Sequence, residues 1–144
     1  MKSLVLIGIG ETAELAYEYF TYDSDYKVVA FAVDTEYLPG NKEQMFDLPI
    51  IPLSELEERY TPDDIELFVA ISSTKLNRLR RDMFLRFKAL NYRFASYISS
   101  KCFIWKNVNI GENCFILENN TLQPFVSIGN NVILWSGNHI GHRT

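Results

Sequence analysis

From Ile98 onward an aliphatic residue falls at every sixth position: Ile98, Ile104, Ile110, Ile116, Leu122, Ile128, Leu134 and Ile140. A period of six fits neither the 3.6-residue turn of an α-helix nor the two-residue alternation of a strand. It predicts a hexapeptide β-helix, in which each hexad forms one side of a triangular coil and its leading aliphatic points into the prism. With three hexads to a coil, residues eighteen apart stack, Ile98 on Ile116 and Leu134, Ile104 on Leu122 and Ile140, and Ile110 on Ile128. The fifth place of each hexad reads Cys102, Val108, Cys114, Asn120, Val126, Val132, Asn138 and Thr144, side chains small enough for a crowded interior.

Before Tyr97 the pattern is different. Residues 3–7 form an unbroken apolar run, as in a strand buried on both faces. Gly8-Ile9-Gly10-Glu11-Thr12-Ala13 follows, and then Ala13, Ala16, Tyr17 and Phe20 mark one face of a helix. A second apolar strand over 27–33 ends in Asp34. This is the layout of a nucleotide-binding βαβ unit: glycines admit a pyrophosphate, the helix N-terminus offers free N–H groups, and the acid accepts a hydrogen bond from ribose or base. The competing reading is a plain tight turn followed by an Asp that caps a loop.

Residues 35–47 are polar, contain Pro39-Gly40, and are expected to form a loop able to fold over a ligand. The two prolines in 48–52 indicate an edge strand, because each removes a ladder donor. Ser54 and Glu57 have capping-box spacing ahead of a brief helix over 55–60, and Thr61-Pro62 breaks the chain. A buried strand over 67–72 leads to the polar turn Ser72-Ser73-Thr74. A helix over 75–90 follows, with Leu76, Leu79, Met83, Phe87 and Leu90 as its core stripe. The cations Lys75, Arg78, Arg80, Arg81, Arg86, Lys88 and Arg93 read as a solvated surface, those nearest Ser72 being within reach of a phosphate. Residues 92–95 are expected to add a last strand. The predicted fold is thus a Rossmann-like parallel α/β sheet over 1–97, too short for a two-half dinucleotide fold, followed by a left-handed β-helix over 98–144.

Composition narrows the function. A net charge of -4 and a pI near 5.2 argue against nucleic acid as a partner, since phosphate binding shows as a basic excess. No apolar run approaches the roughly 20 residues of a membrane span, and no signal peptide is apparent. Cys102 and Cys114 lack a CxxC spacing, so buried, reduced thiols in a cytoplasmic protein are expected, with no metal site. The two histidines, His139 and His142, lie in one short segment. Histidine is the usual general base near neutral pH. His142, at the third place of its hexad, is expected to face outward at a coil edge. His139 is a second candidate, for substrate contact or for orienting its neighbour. For each the plain alternative is an exposed or packing histidine on a turn.

A nucleotide-binding α/β unit followed directly by hexapeptide coils resembles the NeuD/PglD-like sugar acetyltransferases of bacterial glycan and lipopolysaccharide synthesis. The resemblance runs through Gly8-Ile9-Gly10-Glu11-Thr12-Ala13, Asp34, Ser72-Ser73 and the segment from Leu134 to His142. It implies that Gly8, Gly10, Glu11, Thr12 and Asp34 surround the nucleotide of a UDP- or dTDP-linked sugar, with Ser72 and Ser73 near the phosphates or sugar. It implies a homotrimer with acetyl-CoA as co-substrate in the groove between neighbouring coils, and His142 as the base. Three positions depart from the family pattern: Glu11 and Thr12 stand where many members have Gly and His, and Arg143 follows His142 where an acidic residue is common.

The chain stops inside a hexad, and an open coil end exposes core and backbone. The expectation is therefore an incomplete form that keeps the sugar-nucleotide site and has little or no acetyl transfer. The rival from another class is a non-catalytic nucleotide-sugar-binding or oligomerisation module. A nicotinamide-dependent oxidoreductase, indicated by the glycine turn alone, is weaker because no second half-sheet exists for the other nucleotide.

Overall fold

The computed structural model describes residues 1–38, 40, 44–72 and 77–144. They form two compact units, Met1–Phe94 and Ala95–Thr144.

In the first unit, β1 (Lys2–Ile7), α1 (Glu11–Tyr22) and β2 (Tyr26–Val33) follow one another. Then come β3 (Gln44–Met45), β4 (Leu48–Pro52), α2 (Leu56–Arg59), β5 (Glu66–Val69) and α3 (Arg78–Lys88). The sheet order is β3-β4-β2-β1-β5. β4, β2, β1 and β5 run parallel, and only β3 is antiparallel to its neighbour. Val5, Ile7, Ala30, Ala32, Ile51, Leu67 and Val69 pack against Leu56, Met83, Phe84 and Phe87, while Ala13, Ala16 and Phe20 bury one face of α1. Both faces of the central strands are therefore covered, which is why they read as unbroken apolar runs.

Several local expectations are corrected. β4 is not an edge: Gln44 and Met45, within the expected loop, pair outside it through Pro49 and Leu48. The connecting Phe46-Asp47 has φ of 52° and 62°, a two-residue turn with both centres left-handed, which Asn-Gly would have advertised and Phe-Asp does not. The capping box does not form, because Ser54 lies inside a short 3-10 turn over Leu53–Glu55 with no side-chain cap. The third β-run ends at Val69 rather than Ser72, and residues 92–95 contribute a single bridge, Leu67 to Phe94. In α3 the buried residues are Arg80, Met83, Phe84 and Phe87. Leu79 and Leu90 are exposed and Arg80, placed on the solvated surface by its charge, is 0% exposed. Leu76, also assigned to that stripe, lies outside the described residues.

The second unit is a left-handed-β-helix-like stack of two-residue strands. β6 (Tyr97–Ile98), β7 (Phe103–Ile104), β8 (Asn109–Ile110) and β9 (Phe115–Ile116) are followed by β10 (Thr121–Leu122), β11 (Ser127–Ile128), β12 (Ile133–Leu134) and β13 (His139–Ile140). They form three parallel sheets, β6-β9-β12, β7-β10-β13 and β8-β11. The pairs include Ile98 with Ile116, Ile104 with Leu122 and Ile110 with Ile128, a stagger of eighteen throughout. Cys114, Ile116 and Leu122 are fully buried, with Ile104, Ile110, Ile128, Leu134 and Ile140 packed on them. Burial is deepest at Ile116 and Leu122, whose strands β9 and β10 have neighbours on both sides; Ile98, in the first coil, is 37% exposed.

The corners obey a second rule. The fourth place of six successive hexads is left-handed: Asn113, Asn119, Phe125, Asn131, Gly137 and Arg143 have φ from 57° to 83°. Asn and Gly enter that region cheaply, whereas other L-residues meet a steric cost of about 1–2 kcal/mol. Phe125 and Arg143 pay that penalty at one corner, where the Arg143 guanidinium lies 4.4 Å from the Phe125 ring centroid. Asn113, fully buried, donates from Nδ2 to Asn131 Oδ1 at 2.8 Å. Asn120, also buried, donates to the Leu117 carbonyl and accepts from the Asn138 N–H.

Replacing Phe125 by Gly should therefore raise stability by up to about 1 kcal/mol, the relieved backbone outweighing the lost cation–π contact. Asn113→Ala should lower it by about 2–3 kcal/mol, adding strain and leaving Asn131 Oδ1 short of a donor. Urea midpoints measure both, and an unchanged midpoint for Asn113→Ala would remove the ladder from the account.

A second prediction concerns pH. The Tyr26 hydroxyl donates to Glu66 Oε1 at 2.8 Å. Burial, and then the Glu66 contact, push its pKa up to about 12. The folded value exceeds the unfolded one near 10, so this contribution is complete below about pH 10 and is lost as pH rises towards 12. Wild-type stability should fall more steeply over that interval than that of Tyr26→Phe; parallel curves would show that the bond contributes nothing.

Candidate functional site

In the α/β unit the parallel strands open a cleft at their C-terminal ends. It holds about 590 Å³ and is lined by Gly8, Ile9, Gly10, Glu11, Thr12, Val33, Tyr37, Ala70, Ile71, Ser72 and Leu79. A smaller apolar cavity of about 180 Å³ shares Gly8, Val33, Tyr37, Ile71 and Leu79 with it and adds Ile7, Asp34, Glu36, Leu53 and Met83. The glycine turn and Ser72 thus meet in one cleft, and Asp34 lines the adjoining cavity. Ser73 lies outside the described residues. Tyr37 and Leu79 line both spaces and carry no sequence signal: Tyr37 sits in a 3-10 turn that begins after Asp34, and Leu79 had been assigned to the core.

β1 lies between β2 and β5 in the sheet, so the chain leaves β1 towards one side and later returns to the other. Ligands of open α/β sheets bind at such a reversal, beyond the strand ends. Two glycines shape it differently. Gly8 has φ +128°, and a Cβ there would stand 2.5 Å from the Ala70 carbonyl oxygen. Its N–H donates to the Ala32 carbonyl at 2.8 Å, and the Ala70 N–H donates to the Ile7 carbonyl at 2.8 Å. Gly8 therefore lets the exits of β1 and β5 touch. Gly10 precedes α1 with no side-chain cap, and a Cβ there would meet nothing within 4 Å. The first N–H groups of α1 accordingly open towards Gly10, Glu11 and Thr12, where a helix end favours an anion.

In the β-helix unit, His139 lies in β13 opposite Thr121, and both histidines are exposed. His142 occupies the corner just before left-handed Arg143, and its backbone N–H donates to Gln123 Oε1 at 3.0 Å. Gln123 also donates its own N–H to the Ile140 carbonyl at 3.1 Å, so one residue of the coil above fixes the corner carrying the imidazole. Arg143 is turned onto Phe125. Among the described residues no group of three or more His, Cys, Asp or Glu gathers as metal ligands would.

Residues 107–142 match the family described as bacterial transferase hexapeptide (six repeats). No curated protein matches the chain. Among solved structures, the acetyltransferase domain of PglB from Neisseria gonorrhoeae FA1090 matches with a TM-score of 0.82 at 19% identity, over 99% of this chain and 66% of that one. The chain has the fold of such hexapeptide-repeat acetyltransferase domains. The same PglB domain in complex with acetyl coenzyme A gives a TM-score of 0.79 at 19% identity, over 99% and 65%. PerB from Caulobacter crescentus in complex with CoA and GDP-perosamine gives 0.78 at 18%, over 99% and 64%. The chain thus spans about two thirds of the length of each of these neighbours. No helix among the described residues is long and apolar enough to cross a membrane.

Gly8→Ala should lower stability by about 2–4 kcal/mol, from the disallowed φ and the clash with Ala70 together. Gly10→Ala should change it by less than about 1 kcal/mol. Denaturant titration separates them; equal losses would mean that the contact between strand exits does not govern the turn.

Proposed function

We propose that the chain belongs with the NeuD/PglD-like sugar acetyltransferases and takes part in transferring acetyl from acetyl-CoA to an amino or hydroxyl group of a nucleotide-linked sugar in bacterial glycan synthesis. On this reading residues 1–97 are a Rossmann-like domain for the nucleotide-sugar and 98–144 begin the acyltransferase domain. What carries the reading is the conjunction of two features in one chain. A strand-end cleft gathers Gly8, Gly10, Glu11, Thr12 and Ser72, and a hexapeptide coil presents His142 at an exposed corner. The ligands bound by the fold neighbours, acetyl coenzyme A for PglB and CoA with GDP-perosamine for PerB, agree with that division of labour.

The diphosphate lies against the N-terminus of α1, where the absent side chains of Gly8 and Gly10 let backbone approach phosphate. Asp34 accepts a hydrogen bond from ribose or base, with UDP or dTDP as the leading nucleotides, and Ser72 and Ser73 lie near phosphate or sugar. The His142 imidazole takes the proton from the sugar amine, or from a hydroxyl, as its lone pair attacks the thioester carbonyl. The tetrahedral oxyanion is stabilised by backbone N–H groups, and its collapse expels coenzyme A as thiolate. His139 acts beside it in substrate contact or orientation. The working state is a cytoplasmic homotrimer.

Thermal-shift titration with UDP-, dTDP- and GDP-linked amino sugars should raise the melting temperature for at least one of them; a ligand at a hundred times its dissociation constant adds about 2.7 kcal/mol. Gly10→Ala should weaken that response with the free protein unchanged. His142→Ala should lower acetyl transfer by about 10²–10⁴-fold and leave the nucleotide response intact. A nucleotide response without transfer in wild type would favour the binding-module reading, unchanged turnover in His142→Ala would dismiss that base, and no response to any nucleotide would dismiss the cleft.

A further inference from the structure

Arg80 is fully buried, although it lies in the first turn of a helix whose other arginines are exposed. The position of its guanidinium follows from the hydrogen-bond needs of β5. Along β5 and its continuation, alternate residues face opposite edges. Ala70 turns inward, its N–H donating to the Ile7 carbonyl and its own carbonyl lying against Gly8. Leu67, Val69 and Ile71 turn outward, where no full strand lies beside them. At Leu67 the outer edge is met by Arg93, whose carbonyl accepts the Leu67 N–H at 3.0 Å. Beyond that point no strand among the described residues pairs with this edge, and Arg80 takes its place: Nη1 donates to the Val69 carbonyl and, at 3.4 Å, to the Ile71 carbonyl. The guanidinium also lies 5.7 Å from the Phe68 ring centroid.

The carbonyls so held belong to the stretch that walls the cleft, since Ala70, Ile71 and Ser72 line it opposite the glycine turn. An uncharged donor would satisfy carbonyl oxygens equally well. Arginine adds a permanent positive charge, held behind that wall and shielded from water, where its field is weakly screened. We propose that Arg80 is a positioning residue for the anionic part of the ligand: it stands in for the missing strand that would hold residues 69–71 against Gly8, and its charge favours a diphosphate in the cleft. This inference rests on the nucleotide reading of the cleft given above.

The test is the affinity of the full chain for UDP, dTDP and GDP, measured by calorimetry at two salt concentrations, in wild type, Arg80→Lys, Arg80→Gln and Arg80→Met. Arg80→Lys keeps the charge with a less suitable donor geometry and should lose about threefold; Arg80→Gln and Arg80→Met discard the charge and should lose about tenfold or more at both salt concentrations, because a buried charge is little screened. A purely structural arginine would make Lys and Gln equally harmful, and that result, or no loss in any variant, overturns the proposal. If Arg80→Met fails to fold, the contrast between Lys and Gln still decides. Wild type binding none of the three diphosphates would overturn the nucleotide reading itself, an outcome distinct from wild type binding one of them with Arg80 indifferent.

Discussion

A parallel β-coil exists only if the chain can turn the same way at every corner without losing the register of the strands between. From Asn113 to Arg143 the turn is made by a left-handed residue at the fourth place of the hexad, and the stagger of eighteen is kept there as it is across the earlier corners. The aliphatic period supplies the core but does not hold the corners. That falls to asparagine, whose short amide tolerates positive φ and bonds to the same place one coil away, as Asn113 does with Asn131. Where the sequence uses Phe125 and Arg143 instead, the two stack on one another, so a costly backbone acquires a side-chain contact. His142 lies immediately before that corner, and its backbone N–H is held by Gln123 of the neighbouring coil.

The α/β unit solves a different problem with the same economy of elements. A parallel sheet ends all its strands on one side, and the loops beyond them must separate to leave space or touch to leave none. Gly8 and Ala70 touch, which closes the cleft floor between β1 and β5, while Gly10 leaves room above the start of α1. The two glycines are alike in the sequence and opposite in role. One is required by the free protein; at the other a side chain would meet nothing within 4 Å.

How much of this was legible beforehand depended on whether a residue's surroundings were local. The hexad core, the strand β1, the turn at Gly8 and the helix behind it rest on short-range periodicity, and residues such as Ile116 and Ala16 are buried as that periodicity requires. The second strand partner of β4 was hidden because Phe46-Asp47 turns without the usual turn residues. The gathering of Ser72, Tyr37 and the glycine turn depends on which strands become neighbours, and no local pattern in the sequence states the order β3-β4-β2-β1-β5.

Arg80 shows why charge alone misleads. In a run of seven basic residues between Lys75 and Arg93, solvation is the economical assumption for each, because burying a guanidinium costs several kcal/mol unless its donors are satisfied. The decisive variable is the edge of the sheet. Among the described residues β5 pairs with a strand on one side only, and the outward carbonyls of Val69 and Ile71 need donors from elsewhere. A long side chain with several donors from the next helix meets that need, and its buried methylenes replace the leucine expected on the stripe. The helix consequently turns its face: Leu79 leaves the core and lines the cleft, and a single hydrogen-bonding requirement at a strand end rearranges both the packing of α3 and the wall of the site.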